Sequence, residues 1–189
     1  MESALIISYA EKSTAFLCEI LKEAMLDQIS AVRSCGEARR MLLERDFDLV
    51  IINAPLQDES GEALSRDIVY KGTSQVILIV KNEFFEAMSA ACESDGIMVV
   101  SKPLHAPSFW LVLKLASSTQ RRLKRVQGEN SKLRQTIEDI RIIDRAKCTL
   151  ISHLSMSEQE AHRYIEKQAM DMRTTKRMIA EGILKTYEN

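Results

Sequence analysis

Between residues 145 and 177 this chain of 189 residues gathers side chains that can hold phosphate and read base edges: Arg145, Lys147, Arg163, Lys167, Gln168, Arg173, Thr174, Lys176 and Arg177. Guanidinium and ammonium groups contact phosphate oxygens, and Gln and Thr add directional hydrogen bonds to splayed bases. Taken singly, each cation also reads as a solvated surface charge, and the signal lies in their clustering. Other chemistry is not indicated. His105, His153 and His162 have no Cys or carboxylate at ligand spacing, so no metal is expected. Cys18, Cys35, Cys92 and Cys148 are too dispersed for a zinc site or a disulfide framework, which fits a reducing cytoplasm. The six glycines form no phosphate-binding loop pattern. No nucleophile pairs with a base and an orienting group. Neither an enzyme nor a cofactor is expected.

Composition bounds the remaining possibilities. With 46% hydrophobic and 28% charged residues the chain is an ordinary folded one. No apolar run approaches the roughly 18 residues of a membrane span. The first ten residues include Glu2 and no basic stretch, so no signal peptide is expected and the cytoplasm is the expected location. The overall net charge of -1 hides an asymmetry. Residues 1–116 hold 11 Lys+Arg and 17 Asp+Glu (net -6), whereas residues 117–189 hold 15 and 10 (net +5). The basic half is the candidate for a polyanionic partner, although +5 is modest for a nucleic-acid footprint.

The elements that must position these side chains read in two blocks. In the first, short apolar runs at 5–7, 29–32, 48–52, 75–80 and 96–100 alternate with helical periodicity at 12–26, 35–45, 61–69, 84–94 and from Pro107 onward. The first helix repeats Ala15, Phe16, Ile20, Leu21, Ala24 and Met25. The runs at 48–52 and 75–80 are continuous and β-branched, as strands buried on both faces require. This is an α/β, (βα)5 pattern, which predicts a parallel sheet covered by helices on both faces.

That order, with Asp48-Leu-Val-Ile-Ile-Asn53, the turn through Pro55 and Gly61, and Ser101-Lys102-Pro103 after the fifth strand, resembles a response-regulator receiver domain of flavodoxin-like type, assigned to residues 1–118. Receivers phosphorylate an Asp at the end of the third strand, where this chain has Asn53. An amide cannot serve as that nucleophile. The acidic pair that would hold Mg²⁺ is replaced by Ser8, Tyr9 and Ala10, none of which offers an anionic oxygen. The switch Ser/Thr is Val80, and only Lys102 remains. The resemblance therefore implies a degenerate receiver, a pseudo-receiver that engages a regulatory protein partner or ligand instead of phosphate. Lys102 is expected to bond Asn53 or a backbone carbonyl. Asp58 and Glu59, in the following loop, are the remaining acids that could substitute.

A helical connector, assigned to 119–143, carries a heptad repeat. Its a positions are Ala116, Leu123, Asn130 and Ile137, and its d positions are Thr119, Val126, Leu133 and Ile140. A 3.5-residue repeat with one Asn at an a position suits a parallel two-stranded coiled coil. Leu123, Val126, Asn130, Leu133, Ile137 and Ile140 are the expected dimerisation residues; the alternative is a long helix packed on its own domains.

The last segment, assigned to 130–189 with its first helix continuous with the coiled coil, predicts a three-helix bundle. Ser157-Glu-Gln-Glu160 has the form of a capping box. Ala161, Tyr164, Ile165 and Met172 form the expected apolar stripe of the second helix, and a third helix begins near Thr174 or Thr175. Arg145-Ala146-Lys147, Leu154-Ser-Met-Ser157, Glu160-Ala161, the stretch from Tyr164 to Arg173, and Ile179-Ala180 together resemble the ANTAR domain, named after the AmiR and NasR antitermination regulators. The resemblance implies a bacterial, cytoplasmic RNA-binding regulator of a two-component system. It would bind paired stem-loops in nascent leader mRNA as a homodimer and so prevent termination. Two other readings stay open: a DNA-binding response regulator, and a coiled-coil scaffold that binds only proteins.

Overall fold

A computed structural model describes residues 1–72 and 74–187 of the chain. The described residues fall into two compact units, 1–125 and 126–189. The first is built from β1 (Ser3–Ile7), α1 (Glu11–Glu23), β2 (Gln28–Val32), α2 (Cys35–Glu44), β3 (Leu49–Asn53), α3 (Glu62–Lys71), β4 (Gln75–Lys81), α4 (Phe85–Cys92), β5 (Met98–Lys102) and the start of α5 (Ala106–Leu154). The strands are all parallel, in the order β2-β1-β3-β4-β5. This is the doubly wound flavodoxin-like order, with right-handed crossovers placing helices on both faces.

The strand alternation divides two apolar layers. Leu5, Ile7, Val50, Ile52, Val76 and Leu78 face α2, α3 and α4 through Cys35, Ala38, Leu64, Ile68 and Cys92. Ala4, Ile6, Leu49, Ile51, Ile77 and Ile79 face α1 and α5 through Leu17, Ile20, Leu21, Phe109, Leu113 and Ala116. Every residue of β3 is buried, which explains its continuous apolar sequence. Gly61, at φ 87, makes the turn into α3; a Cβ there would lie 2.7 Å from Ile52 Cγ2.

Three expectations need correcting. The first helix ends at Glu23, and Met25 is a left-handed residue (φ 58) that is 84% exposed, while Leu26 enters the core in its place. The fifth strand extends through Lys102 instead of ending before it. Ala116 belongs to the sheet-facing layer and not to a heptad seam, because α5 packs on the sheet through Phe109, Leu113 and Ala116.

At the N-terminal edge of β3, the buried Asp48 carboxylate binds the first part of α5. Its Oδ1 accepts from the buried Gln120 Nε2 at 3.1 Å and pairs with Lys124 Nζ at 2.5 Å. Its Oδ2 accepts from the Glu2 N–H at 2.5 Å. Burial alone would raise this carboxyl, but Lys124 and the Glu2 N–H outweigh it and hold Asp48 below the usual aspartate range.

The second unit comprises the rest of α5 with α6 (Glu158–Asp171) and α7 (Lys176–Tyr187). Its core is small: Ala146, Leu150, Ala161, Ile165, Ala180 and Ile183, with Ile142, Ile143, Met156, Ile179, Leu184 and Tyr187 partly buried around them. The capping box at the start of α6 is complete: the Ser157 hydroxyl accepts from Glu160 N, and Glu160 accepts from Ser157 N. Tyr164 and Met172, expected on the apolar stripe, are exposed; Ala169 takes the inward position one turn beyond Ile165.

Candidate functional site

Two places bring the sequence-predicted residues together, one in each unit. In the first unit Asn53, Ser8 and Lys102 meet at the C-terminal edge of the sheet, the edge where ligands bind in open α/β folds. Asn53 is 5% exposed, and its Nδ2 donates to Ser8 Oγ at 2.9 Å. Its Oδ1 is buried and accepts no hydrogen bond among the described residues. Lys102 Nζ donates to the Ala54 carbonyl at 2.5 Å, the backbone option of the two expected for it. Burial, and then the ammonium of Lys81, hold Lys102 below the usual lysine range. Val80 is buried in the apolar layer of β4 and offers no hydroxyl.

The nearby acids are occupied elsewhere. Glu11 pairs with Arg33 at 2.6 Å. Asp58 accepts from the Cys35 and Gly36 N–H groups at 3.1 and 3.0 Å, capping α2. These backbone bonds, Gly36 first, hold its carboxyl below the usual range. Glu59 is paired with Arg39. The Cys35 thiol lies within 4.8 Å of the Asp58 and Glu59 oxygens. Burial, then those two carboxylates, push it up to about 11, so it is a protonated thiol and a poor metal ligand at neutral pH.

In the second unit the cationic cluster separates into two groups. Lys147 is only 16% exposed and pairs with Asp144 at 2.7 Å and Glu158 at 3.5 Å. Lys176 pairs with Glu166 at 2.5 Å. Arg177 pairs with Asp139 and Glu181, both at 2.7 Å. These three brace α5, α6 and α7 against one another. Arg163, Lys167 and Arg173 are exposed and make no ion pair among the described residues. Arg163 and Lys167, four apart, share one face of α6. Arg145 is exposed on α5, while Gln168 and Thr174 are half-buried beside the α6–α7 turn.

That turn has a specific backbone cause. The Thr174 N–H bonds the Ala169 carbonyl at 2.9 Å and the Arg173 N–H bonds the Met170 carbonyl at 3.1 Å. This is a Schellman end, which places Arg173 in the left-handed region at φ 50, where glycine is the usual occupant. A cation therefore stands at the tip of the turn at some conformational cost. Just beyond it, Thr175 Oγ1 accepts from Met178 N at 3.2 Å and opens α7, whose N-terminus attracts anions. Met170, Met172 and Met178 are exposed around the turn, and Tyr164 is 39% exposed on α6, available to stack on a planar group.

On α5, Leu123, Val126, Leu133, Ile137 and Ile140 are between 43 and 64% exposed, and Asn130 is exposed among them. The sequence did not single out the bond between Asp48 and Gln120, 72 positions apart. Nor did it single out Lys12 and Ser13 beside the Asn53 pocket. The available signal for the latter was the lack of any Ser, Thr, Asp or Asn immediately before Glu11, where a helix cap would stand.

Residues 131–184 match the ANTAR domain. The chain is 25% identical over 170 residues to the transcriptional regulatory protein PdtaR of Mycobacterium tuberculosis, covering 90% of this chain and 83% of that protein. The first unit has the fold of receiver domains. A signal receiver domain of an HD domain-containing protein from Pseudomonas fluorescens Pf-5 has a TM-score of 0.58 at 23% identity, covering 65% of this chain and 91% of its own. A two-component transcriptional regulator AraC structure from Clostridium phytofermentans ISDg has a TM-score of 0.60 at 19% identity, covering 66% and 98%. The chain thus joins a receiver fold to a segment that matches the ANTAR domain, and it resembles a transcriptional regulatory protein along nine-tenths of its length.

Proposed function

We propose that this chain is a cytoplasmic transcription antitermination regulator that binds paired stem-loops in nascent leader mRNA as a dimer. The observation that carries the reading is the exposed trio Arg163, Lys167 and Arg173, which forms no ion pair among the described residues, at α6 and the α6–α7 turn inside the segment that matches the ANTAR domain. Those cations supply phosphate contacts, the α7 N-terminus supplies N–H donors, and Gln168 and Thr174 supply hydrogen bonds to loop bases. Arg145 extends the surface along α5. Lys147, Lys176 and Arg177 act chiefly by holding the three helices in register. The exposed apolar series from Leu123 to Ile140 supports pairing of two copies through α5. Asn53, Val80 and the lack, among the described residues, of a free carboxylate beside Lys102 support control without aspartyl phosphorylation, through a regulatory protein or ligand at the receiver fold. No helix among the described residues is long and apolar enough to cross a membrane.

The test is binding of the full chain to an RNA with two small stem-loops, against a loop-scrambled control and a duplex DNA competitor, over a salt series. The reading expects loop-dependent binding with a negative slope of log K against log salt. Preference for duplex DNA would favour a DNA-binding regulator, and no salt-dependent RNA affinity would favour a protein scaffold. Leu133→Asp should reduce both the dimer fraction in sedimentation and the affinity for the two-loop RNA.

A further inference from the structure

We propose that a cavity between the C-terminal end of α1 and the outer side of α5 binds single-stranded RNA, with an unpaired base against Trp110 and phosphates on Lys114 and Arg121. This deepens the RNA reading by adding a contact outside the segment that matches the ANTAR domain. The cavity measures about 270 Å³; Trp110, Lys114, Ser117 and Arg121 line one side, and Leu26 and Leu113 are apolar walls.

Three observations point to that ligand. The first is the spacing on α5. Trp110, Lys114, Ser117 and Arg121 stand at i, i+4, i+7 and i+11, so they form one stripe of the helix. Phe109, Leu113, Ala116 and Gln120, each one position earlier, are held on the sheet. Trp110 is half-buried and packs against that core, which fixes its ring as a platform at the cavity. The second is charge. From Gly96 to Gly128 the sequence has no Asp or Glu, yet it holds Lys114, Arg121, Arg122, Lys124 and Arg125. Lys124 is taken by Asp48, whereas Lys114, Arg121 and Arg122 are exposed and form no ion pair among the described residues. Glu2 and Asp27 adjoin lining residues in sequence, but no carboxylate lines the cavity among the described residues. The third is the end of α1. Met25 N–H bonds the Lys22 carbonyl at 2.9 Å and Leu26 N–H bonds the Leu21 carbonyl at 3.1 Å. The left-handed Met25 thus closes the helix and occupies carbonyls that would otherwise oppose an anion.

Cations alone would accept any anion. An aromatic face between them selects a planar base joined to phosphate, the combination used by surfaces that hold single strands. The bases of a duplex are stacked inward and cannot enter such a cavity, so the base is an unpaired one. Trp110 and Arg121 lie about 16 Å apart along the helix. That span exceeds one nucleotide, and the exposed Arg122 and Arg125 extend the cationic surface beyond it, which favours a strand over a mononucleotide.

Trp110 is the only tryptophan of the chain, so its emission reports on this cavity alone. The test is quenching of that emission in the full chain by a short oligouridylate, which forms no hairpin, over a salt series. Uridine monophosphate and base-free inorganic polyphosphate are titrated separately. The expected result is saturable quenching by the oligomer, with affinity about ten-fold or more above the mononucleotide because several phosphates are held. Polyphosphate should quench little. Lys114→Gln and Arg121→Gln, both at exposed positions, should each weaken the oligomer about five-fold and flatten the salt slope by about 0.7. Arg173→Gly should leave the quenching unchanged, so this site and the hairpin reading can fail separately. No quenching by the oligomer, equal affinity for the mononucleotide, equal quenching by polyphosphate, or undiminished affinity in Arg121→Gln would overturn the proposal.

Discussion

Replacing Arg173 by glycine should stabilise the C-terminal bundle while weakening its RNA complex. Arg173 sits at φ 50, fixed there by its own N–H on Met170 O and the Thr174 N–H on Ala169 O. A left-handed conformation costs an L-residue roughly 1–2 kcal/mol. Glycine avoids that cost but gives the unfolded chain more freedom, which removes about 0.4–1 kcal/mol of the gain. The net stabilisation is about 0.5–1 kcal/mol, or roughly 2–8 °C in Tm for a unit of this size. The guanidinium itself, if it bonds a phosphate, contributes about 1.5–3 kcal/mol, so its removal weakens RNA binding roughly ten-fold or more. The salt slope should also flatten by about 0.7–0.9 for one lost phosphate contact. Circular dichroism melting and fluorescence anisotropy with the two-loop RNA measure the two halves of the prediction. A lower Tm with unchanged affinity would refute the reasoning, because Arg173 would then be a structural residue with no part in binding.

Three further predictions concern the receiver fold. Asp48 is held below its ordinary range in the folded state, so its contribution is present above about pH 4 and disappears as pH falls through the lowered value. Urea titrations should show Asp48→Asn about 2 kcal/mol less stable at pH 7 and converging on the parent protein at acid pH; the half-exposed Lys124 supplies under about 1 kcal/mol of this. Gly61→Ala combines a positive φ with a 2.7 Å approach to Ile52, and should lower the urea midpoint by an amount equivalent to about 2–3 kcal/mol. Asn53→Asp restores one carboxylate where Ser8, Tyr9 and Ala10 still provide none, so mass spectrometry after treatment with a small phosphodonor should find no phosphoryl adduct; an adduct would contradict the account of the site.

Much of the fold was legible because parallel strands covered on both faces leave a simple trace. The runs at 48–52 and 75–80 became β3 and β4 with little shift, as continuous apolar strands must. Errors arose where periodicity outran the element. Met25 continues the helical spacing of α1, but the helix has already turned through a left-handed residue. Tyr164 and Met172 fit the stripe of α6, yet a core made of Ala146, Ala161, Ala169 and Ala180 is too narrow to admit them. The basic cluster was legible as composition but not as chemistry. Which cations brace and which stand free depends on Asp139, Glu158 and Glu166, carried on helices other than those of the cations they pair with. Spacing along one helix carries no record of such partners. The same holds for Asp48 and Gln120, joined only when α5 lies on the sheet.

The bracing of Lys147, Lys176 and Arg177 has a consequence for how the regulator would discriminate among transcripts. With those charges neutralised internally, one bundle offers an RNA chiefly Arg163, Lys167 and Arg173. Three phosphate contacts make a weak, easily reversed grip on any single hairpin. In the proposed dimer, two bundles tethered through α5 would act at a high effective concentration on a second hairpin in the same strand, and such avidity can add roughly 10²–10⁴ in affinity without any new contact. On the proposed reading, weak individual grips would make the protein a coincidence detector, passing over lone hairpins and closing only on two at the right separation.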